Sequence, residues 1–200
     1  MIPDNPEGAV WAAKSLYDRN YAPGNTGNIS LRRPEGIVIT PTNSSLGRLE
    51  PNNLSVVDLD GTHRDGPAPS KELPLHLEFY RARPDCHAIV HLHSVGSVAA
   101  SCLEYDDPND IFPVMTAYQE LRIGPVALVR YAPPGSSELA SSVREAVATS
   151  HSLLLANHGS LVGRPTLDAA LDASEQLEQT ALLAVMLADR NVRLLPTMGN

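Results

Sequence analysis

Residues 28–40 read Asn28-Ile29-Ser30-Leu31-Arg32-Arg33-Pro34-Glu35-Gly36-Ile37-Val38-Ile39-Thr40. Two strand-like runs, Asn28–Arg32 and Gly36–Thr40, flank a short turn. Only antiparallel strands can be joined so tightly, because parallel neighbours need a crossover of a dozen or more residues. A simple doubly wound parallel sheet is therefore excluded. Downstream, Leu54–Leu59 reads as a third strand, closed by the turn signal Asp60-Gly61. Upstream, residues 7–20 place Val10, Ala13 and Tyr17 on one helical face, and Pro23-Gly24-Asn25 stops that helix. A second helix is expected from Ser70, its N-cap, with Leu73, Leu77 and Tyr80 on one stripe and Pro74 near its start. Ala88–Val95 is the next strand, followed by a small-residue helical stretch to about Cys102. A strand over Val126–Tyr131, a helix over Glu138–Thr149, an apolar strand over Ser152–Ala156 and a long helix from Thr166 complete the order. Helices interleave with strands, yet several strands meet through short turns. The pattern predicts an α/β fold: a single domain over residues 1–200, with helices on both faces of a central mixed, largely antiparallel sheet.

Lys and Arg total 15 and Asp and Glu 23, for a net charge of −8. The acidic balance argues against a nucleic-acid or anionic-membrane partner, since both need a basic face. No apolar run is long enough to span a bilayer, and the first five residues carry neither a basic nor an apolar leader segment. Cys86 and Cys102 form no CxxC pair, so a reducing, cytoplasmic location is expected. Aromatic residues are only 4% of the chain, which leaves the core to aliphatic side chains.

Seven histidines stand out in so acidic a chain. His91 and His93 flank Leu92 within the strand Ala88–Val95, so both imidazoles project from one face. That spacing suits one metal ion; it equally suits two half-buried histidines. Asn157-His158-Gly159 follows the apolar strand 152–156, a place where a side chain often serves a site. Glu72 opens the helix near residue 70, where a carboxylate is also favoured by the helix dipole alone. Three histidines and one carboxylate would suit Zn²⁺ or another divalent ion such as Mn²⁺ or Co²⁺. His63, His76, His87 and His151 read instead as surface or capping residues. A second group suits an anion: the glycine-rich turn Gly24–Asn28, the hydroxyl-rich loop Thr40–Ser45, and Ser70-Lys71 at a helix N-terminus. Each of these is also ordinary turn chemistry. Lys71 adds a cation beside Glu72.

Gly24–Ser30, Thr40–Leu49, Ser70-Lys71-Glu72, Arg81–His93 and Ala156–Gly159, in this order and spacing, resemble the class II aldolase/adducin family over about residues 7–190. The resemblance implies a three-layer α/β/α fold and a homotetramer with active sites at subunit interfaces. It implies a divalent metal, usually zinc, held by His91, His93, His158 and Glu72, with Glu72 also moving protons. It also implies phosphate binding on the side of Asn28, Thr42, Asn43 and Ser70. Adducin-type relatives lack the metal ligands, and this chain has all four. The segments Thr42–Leu49 and Ser70–His76 are most similar to the 3-oxo-tetronate 4-phosphate decarboxylase branch; fuculose-phosphate aldolases usually carry serine where Lys71 stands.

The expected activity is therefore metal-dependent decarboxylation of a phosphorylated 3-oxo acid to dihydroxyacetone phosphate and CO₂ through a stabilised enediolate. Lys71 would hold either the departing carboxylate or the phosphate. Tyr118 is a candidate proton donor to the nascent carbanion, with a packing tyrosine as the other reading. The alternatives are a sugar-phosphate aldolase, which shares the enediolate problem, and a non-catalytic adducin-like assembly module.

Overall fold

The computed structural model describes residues 1–196, so the last four residues of the expected 1–200 domain lie outside the described residues. Eight strands form one sheet in the order β4-β3-β2-β1-β5-β8-β7-β6. They are β1 (Asn28–Arg33), β2 (Gly36–Ile39), β3 (Ser55–Val57), β4 (His63–Asp65), β5 (Ala88–Leu92), β6 (Val126–Val129), β7 (Ser152–Leu155) and β8 (Gly159–Arg164). All neighbours are antiparallel except β6 and β7. That parallel pair is joined by the crossover helix α5 (Ser137–Ala146), as a parallel connection requires. The remaining helices are α1 (Pro6–Asp18), α2 (Leu73–Ala82), α3 (Val95–Ser101), α4 (Ala117–Arg122) and α6 (Leu167–Leu187).

Side chains alternate across the sheet and divide the core in two. Ile37, Ile39, Ile89, Leu153 and Leu161 pack on one face against α2 and α5. Val38, Ala88, Val90 and Leu92 pack on the other against α1 and the start of α6. Leu154 and Val162 continue that second face under the rest of α6. The three-layer α/β/α arrangement and the mixed, largely antiparallel sheet are as the turn-linked strands require.

Several expected boundaries shift. The third strand covers only Ser55–Val57, because a turn closed by the Gly61 N–H on the Asp58 carbonyl at 2.9 Å takes Asp58 and Leu59 out of it. The second helix starts at Leu73 with Glu72 at its N-cap position, so Ser70 is not the N-cap. The Ser70 hydroxyl instead accepts a 3.2 Å bond from the Glu72 N–H, within the turn that leads into α2. The expected strand 88–95 ends at Leu92, where the chain turns into α3. β4, α4 and the central strand β8 have no counterpart in the elements read from the sequence.

Candidate metal centre

The sheet's middle strands bring the chemistry together. Asn28 on β1 is the register partner of His91 on β5, and β5 pairs on its other side with β8. His158 lies in the tight β7–β8 turn, in which Leu155 pairs with Gly159. Gly159 sits at φ 151°, and a Cβ there would run into the Leu92 carbonyl oxygen. Only glycine lets β8 start so close to the end of β5, and this closeness sets His158 beside His91 and His93. Gly27 plays a similar part at β1: with φ 75°, an added Cβ would lie 2.8 Å from the His91 carbonyl oxygen.

The three imidazoles stand edge to face, with centroids 4.7–4.9 Å apart and interplanar angles of 73–79°. One ligand atom each from Glu72, His91, His93 and His158 falls within 4.8 Å of all the others. His91 Nε2 is 2.9 Å from His93 Nε2 and 3.1 Å from Glu72 Oε2, and His158 Nε2 is 3.0 Å from Glu72 Oε1. His91 Nδ1–H donates to the Ser160 carbonyl at 2.6 Å, which turns Nε2 toward its neighbours. Burial, reinforced by His91 and His158, pushes His93 down to about 3, so it offers a lone pair at neutral pH. Burial works against charge on Glu72, but His91 and His158 outweigh it and hold the carboxyl well below the usual range. Burial likewise opposes protonation of His91, and Glu72 beside it raises the ring above its ordinary value. Glu72 Oε1 has no aligned hydrogen-bond donor among the described residues. Lone pairs and one carboxylate converging in a buried place repel one another unless a cation sits among them. This N₃O donor set fits a divalent ion.

Beside this cluster opens a cleft of about 250 Å³. It is lined by Asn28, Thr42, Asn43, Ser70 and Lys71 together with Glu72, His93 and His158. His91 is fully buried and is not on this lining. Lys71 is exposed and is the one Lys or Arg on the lining among the described residues. A larger depression of about 480 Å³ lies elsewhere, around Glu104, Asp106, Asp107 and Asp110. Its carboxylates would repel an anion, and it holds none of the histidines.

Tyr118 does not join the cluster. It is 62% exposed on α4 and lines a separate groove with Tyr21, Arg122 and Glu175. Its neighbour Gln119 is the buried one, bonded to the Phe112 and Pro113 carbonyls and the Met115 N–H. A helix turn there points consecutive residues in different directions, so the tyrosine faces away from its own chain's cleft.

His76 corrects the reading of it as a surface or capping residue. It is fully buried on α2, with Nε2 2.6 Å from Asn28 Oδ1 and Nδ1 2.7 Å from Ser30 Oγ. Burial, aided by His91, pushes it down to about 3. The available signal was helical spacing: residue 76 follows Leu73 by three and precedes Tyr80 by four, which puts it on the buried stripe. His63 and His87 are exposed, as expected, and His151 is partly buried 3.7 Å from Asp85.

A class II aldolase and adducin N-terminal domain model matches residues 7–185. A 3-oxo-tetronate 4-phosphate decarboxylase of Escherichia coli O6:H1 is 45% identical over 92% of this chain and 87% of its own length. An L-fuculose phosphate aldolase of Methanococcus maripaludis is 39% identical over 84% of this chain and 89% of its own. The crystal structure of YgbL, a putative aldolase/epimerase/decarboxylase from Escherichia coli, superposes with a TM-score of 0.92 at 42% identity, covering 96% of this chain and 93% of that one. The motifs, the sheet and the matched span agree: this chain belongs to the class II aldolase and adducin family.

Proposed function

We propose that the chain is a carbon–carbon lyase that decarboxylates 3-oxo-tetronate 4-phosphate to dihydroxyacetone phosphate and CO₂. The observation that carries this reading is Lys71, a lone cation in a cleft that also offers neutral donors and a three-histidine, one-glutamate cluster. The substrate has two anionic ends, and the cleft has two kinds of anion partner. Asn28, Thr42, Asn43 and Ser70 supply neutral donors for the phosphate. Lys71 faces the carboxylate that departs. A divalent ion held by Glu72, His91, His93 and His158, with zinc, manganese and cobalt all suited, supplies Lewis acidity toward a carbonyl oxygen where negative charge develops. Cleavage of the C1–C2 bond leaves its electron pair in the C2–C3 enediolate, and a proton must then reach C2. Glu72, on the cleft lining with Oε1 3.0 Å from His158 Nε2, handles that proton. Tyr118 can act as donor only from a second copy, since it faces away from its own cleft. That requirement accords with a homotetramer having interfacial sites.

The relatives that decarboxylate and the fold without a membrane-crossing helix among the described residues favour a cytoplasmic enzyme. Sugar-phosphate aldol cleavage is the second reading, favoured by the aldolase relative. Metal-loaded protein incubated with 3-oxo-tetronate 4-phosphate is expected to release CO₂, and Lys71→Ser is expected to lower kcat/KM at least tenfold. Aldehyde from fuculose 1-phosphate with no CO₂ from the oxo acid would overturn the proposal in favour of the aldolase. Absence of both products would favour a non-catalytic assembly module.

A further inference from the structure

Behind Glu72 runs a chain of buried polar side chains, of which the proposed reaction uses Asn28 alone. Asn28 Nδ2 donates to Glu72 Oε2 at 2.9 Å. Asn28 Oδ1 lies 2.6 Å from His76 Nε2, His76 Nδ1 lies 2.7 Å from Ser30 Oγ, and Ser30 Oγ lies 2.8 Å from the Tyr80 hydroxyl. Asn28, Ser30, His76 and Tyr80 are 4%, 1%, 0% and 2% exposed, so bulk water cannot replace a lost partner.

Only one assignment of protons satisfies every link. A carboxylate oxygen accepts, so the amide NH₂ must face Glu72 and the amide oxygen must face His76. An amide oxygen also accepts, so His76 Nε2 carries the ring proton. The ring is neutral, because burial holds it down at about 3, and Nδ1 is therefore bare. Ser30 must donate to it, and the Tyr80 hydroxyl, 3.4 Å from the His87 carbonyl, gives its proton to the nearer Ser30 oxygen. All donors then point one way, from Tyr80 through Ser30, His76 and Asn28 to Glu72.

We propose that His76 is a positioning residue whose tautomer, set by Ser30, locks the Asn28 amide and so anchors Glu72 through Oε2. The other oxygen, Oε1, is left facing His158 Nε2 at 3.0 Å. The opposite tautomer would set a bare Nε2 against Asn28 Oδ1. The amide would turn to relieve that repulsion and present its oxygen to the carboxylate.

The inference rests on the metal-centre reading of Glu72, and Co²⁺ titration of the chelator-treated full chain separates the two. Wild-type protein is expected to bind Co²⁺ with a visible ligand-field band. His76→Asn is too short to reach Asn28, and Ser30→Ala frees the ring's tautomer. Both are expected to bind Co²⁺ about 10- to 100-fold more weakly with a shifted band. His76→Gln, whose amide N–H reaches Asn28 Oδ1, should recover most of the affinity. Leu77→Ala, a core truncation on the same helix, should lower the melting temperature and leave the cobalt spectrum alone. A purely structural role for His76 predicts the reverse, with affinity indifferent to the Asn and Gln variants alike. Ser30→Ala carries the test by itself if His76→Asn does not fold. Co²⁺ binding by Ser30→Ala within twofold of wild type, with an unchanged band, would overturn the positioning role. Failure of the wild type to bind Co²⁺ would overturn the metal-centre reading beneath it.

Discussion

Glu178 on α6 is buried with no cation beside it among the described residues, and its carboxylate is spent on the turn that follows His93. Oε2 accepts from Ser94 Oγ at 2.6 Å, Ser97 N–H at 2.7 Å and Ser97 Oγ at 2.8 Å, and Oε1 accepts from Gly96 N–H at 2.7 Å. These are the first N–H groups of α3, which has no side-chain cap of its own. Glu178→Ala leaves both backbone donors buried and unpaired. The two hydroxyls can rotate elsewhere, so only the N–H groups are counted. At about 1–3 kcal/mol for each orphaned donor, the loss is about 2–6 kcal/mol. Glu178→Gln retains one oxygen, best placed at Oε2, and turns its NH₂ toward the Gly96 N–H. One orphan then remains, for about 1–3 kcal/mol. Against a native stability of about 5–15 kcal/mol, the alanine variant should be marginal and the glutamine variant folded. Urea unfolding at equal protein concentration measures both losses. The reasoning is refuted if Glu178→Ala lies within about 0.5 kcal/mol of wild type, the range of an unremarkable surface change.

Gly159→Ala should fail to assemble the site, because the new Cβ meets the Leu92 carbonyl and the backbone is already at φ 151°. Circular dichroism and metal content of the purified variant check this, and full metal loading would count against it. Acidification should destabilise the metal-free chain through His76. The folded ring titrates at about 3 and the unfolded ring near 6.5, so the unfolded state binds more protons and stability falls as pH drops from about 6.5 toward 3. That single group is worth about 2 kcal/mol between pH 7 and pH 5; urea midpoints across this window should show the slope, and His76→Asn should flatten it. Chelation should lower the melting temperature, since an ion present at a hundredfold excess over its dissociation constant adds about 2.7 kcal/mol. Calorimetry with and without chelator reads the difference, and identical transitions would contradict a bound ion in the native state.

The hairpin at 28–40 was legible because its turn admits only one strand direction, and β1 and β2 pair as that turn requires. The pairing of His91 with His93 was legible because side chains two apart on an extended run share a face, although the strand itself ends at Leu92. β8 was not legible. It reads Gly159-Ser160-Leu161-Val162-Gly163-Arg164 and is buried on both faces, so polar alternation is absent, and two glycines disguise it as a loop. The reason for Gly163 lies in three dimensions: Phe79 and Cys86 crowd the space a side chain would fill. His76 escapes a sequence reading for a related cause. Its helical stripe was visible, but its partners Asn28 and Ser30 lie more than forty residues away in sequence. For Tyr118 the sequence leaves a proton donor and a packing tyrosine open, and its exposed place in a separate groove depends on the fold of α4 rather than on any local motif.

The net charge of −8 and an anionic substrate are reconciled by distance. Screening confines interactions between exposed charges to about 8 Å at physiological ionic strength, so most surface carboxylates act weakly inside the cleft. The acidic depression around Asp106, Asp107 and Asp110 is a different place on the molecule. Within the cleft one carboxylate is present, Glu72, and it is already committed to Asn28 and the imidazoles. A dication held there would turn the local balance positive, with Lys71 adding to it. In the proposed site, near-field recognition of the substrate's anions would rest on a dication among Glu72 and the three histidines and on Lys71, while the far field of the whole chain opposes it. Composition alone averages over that separation and so predicts the wrong sign for the cleft.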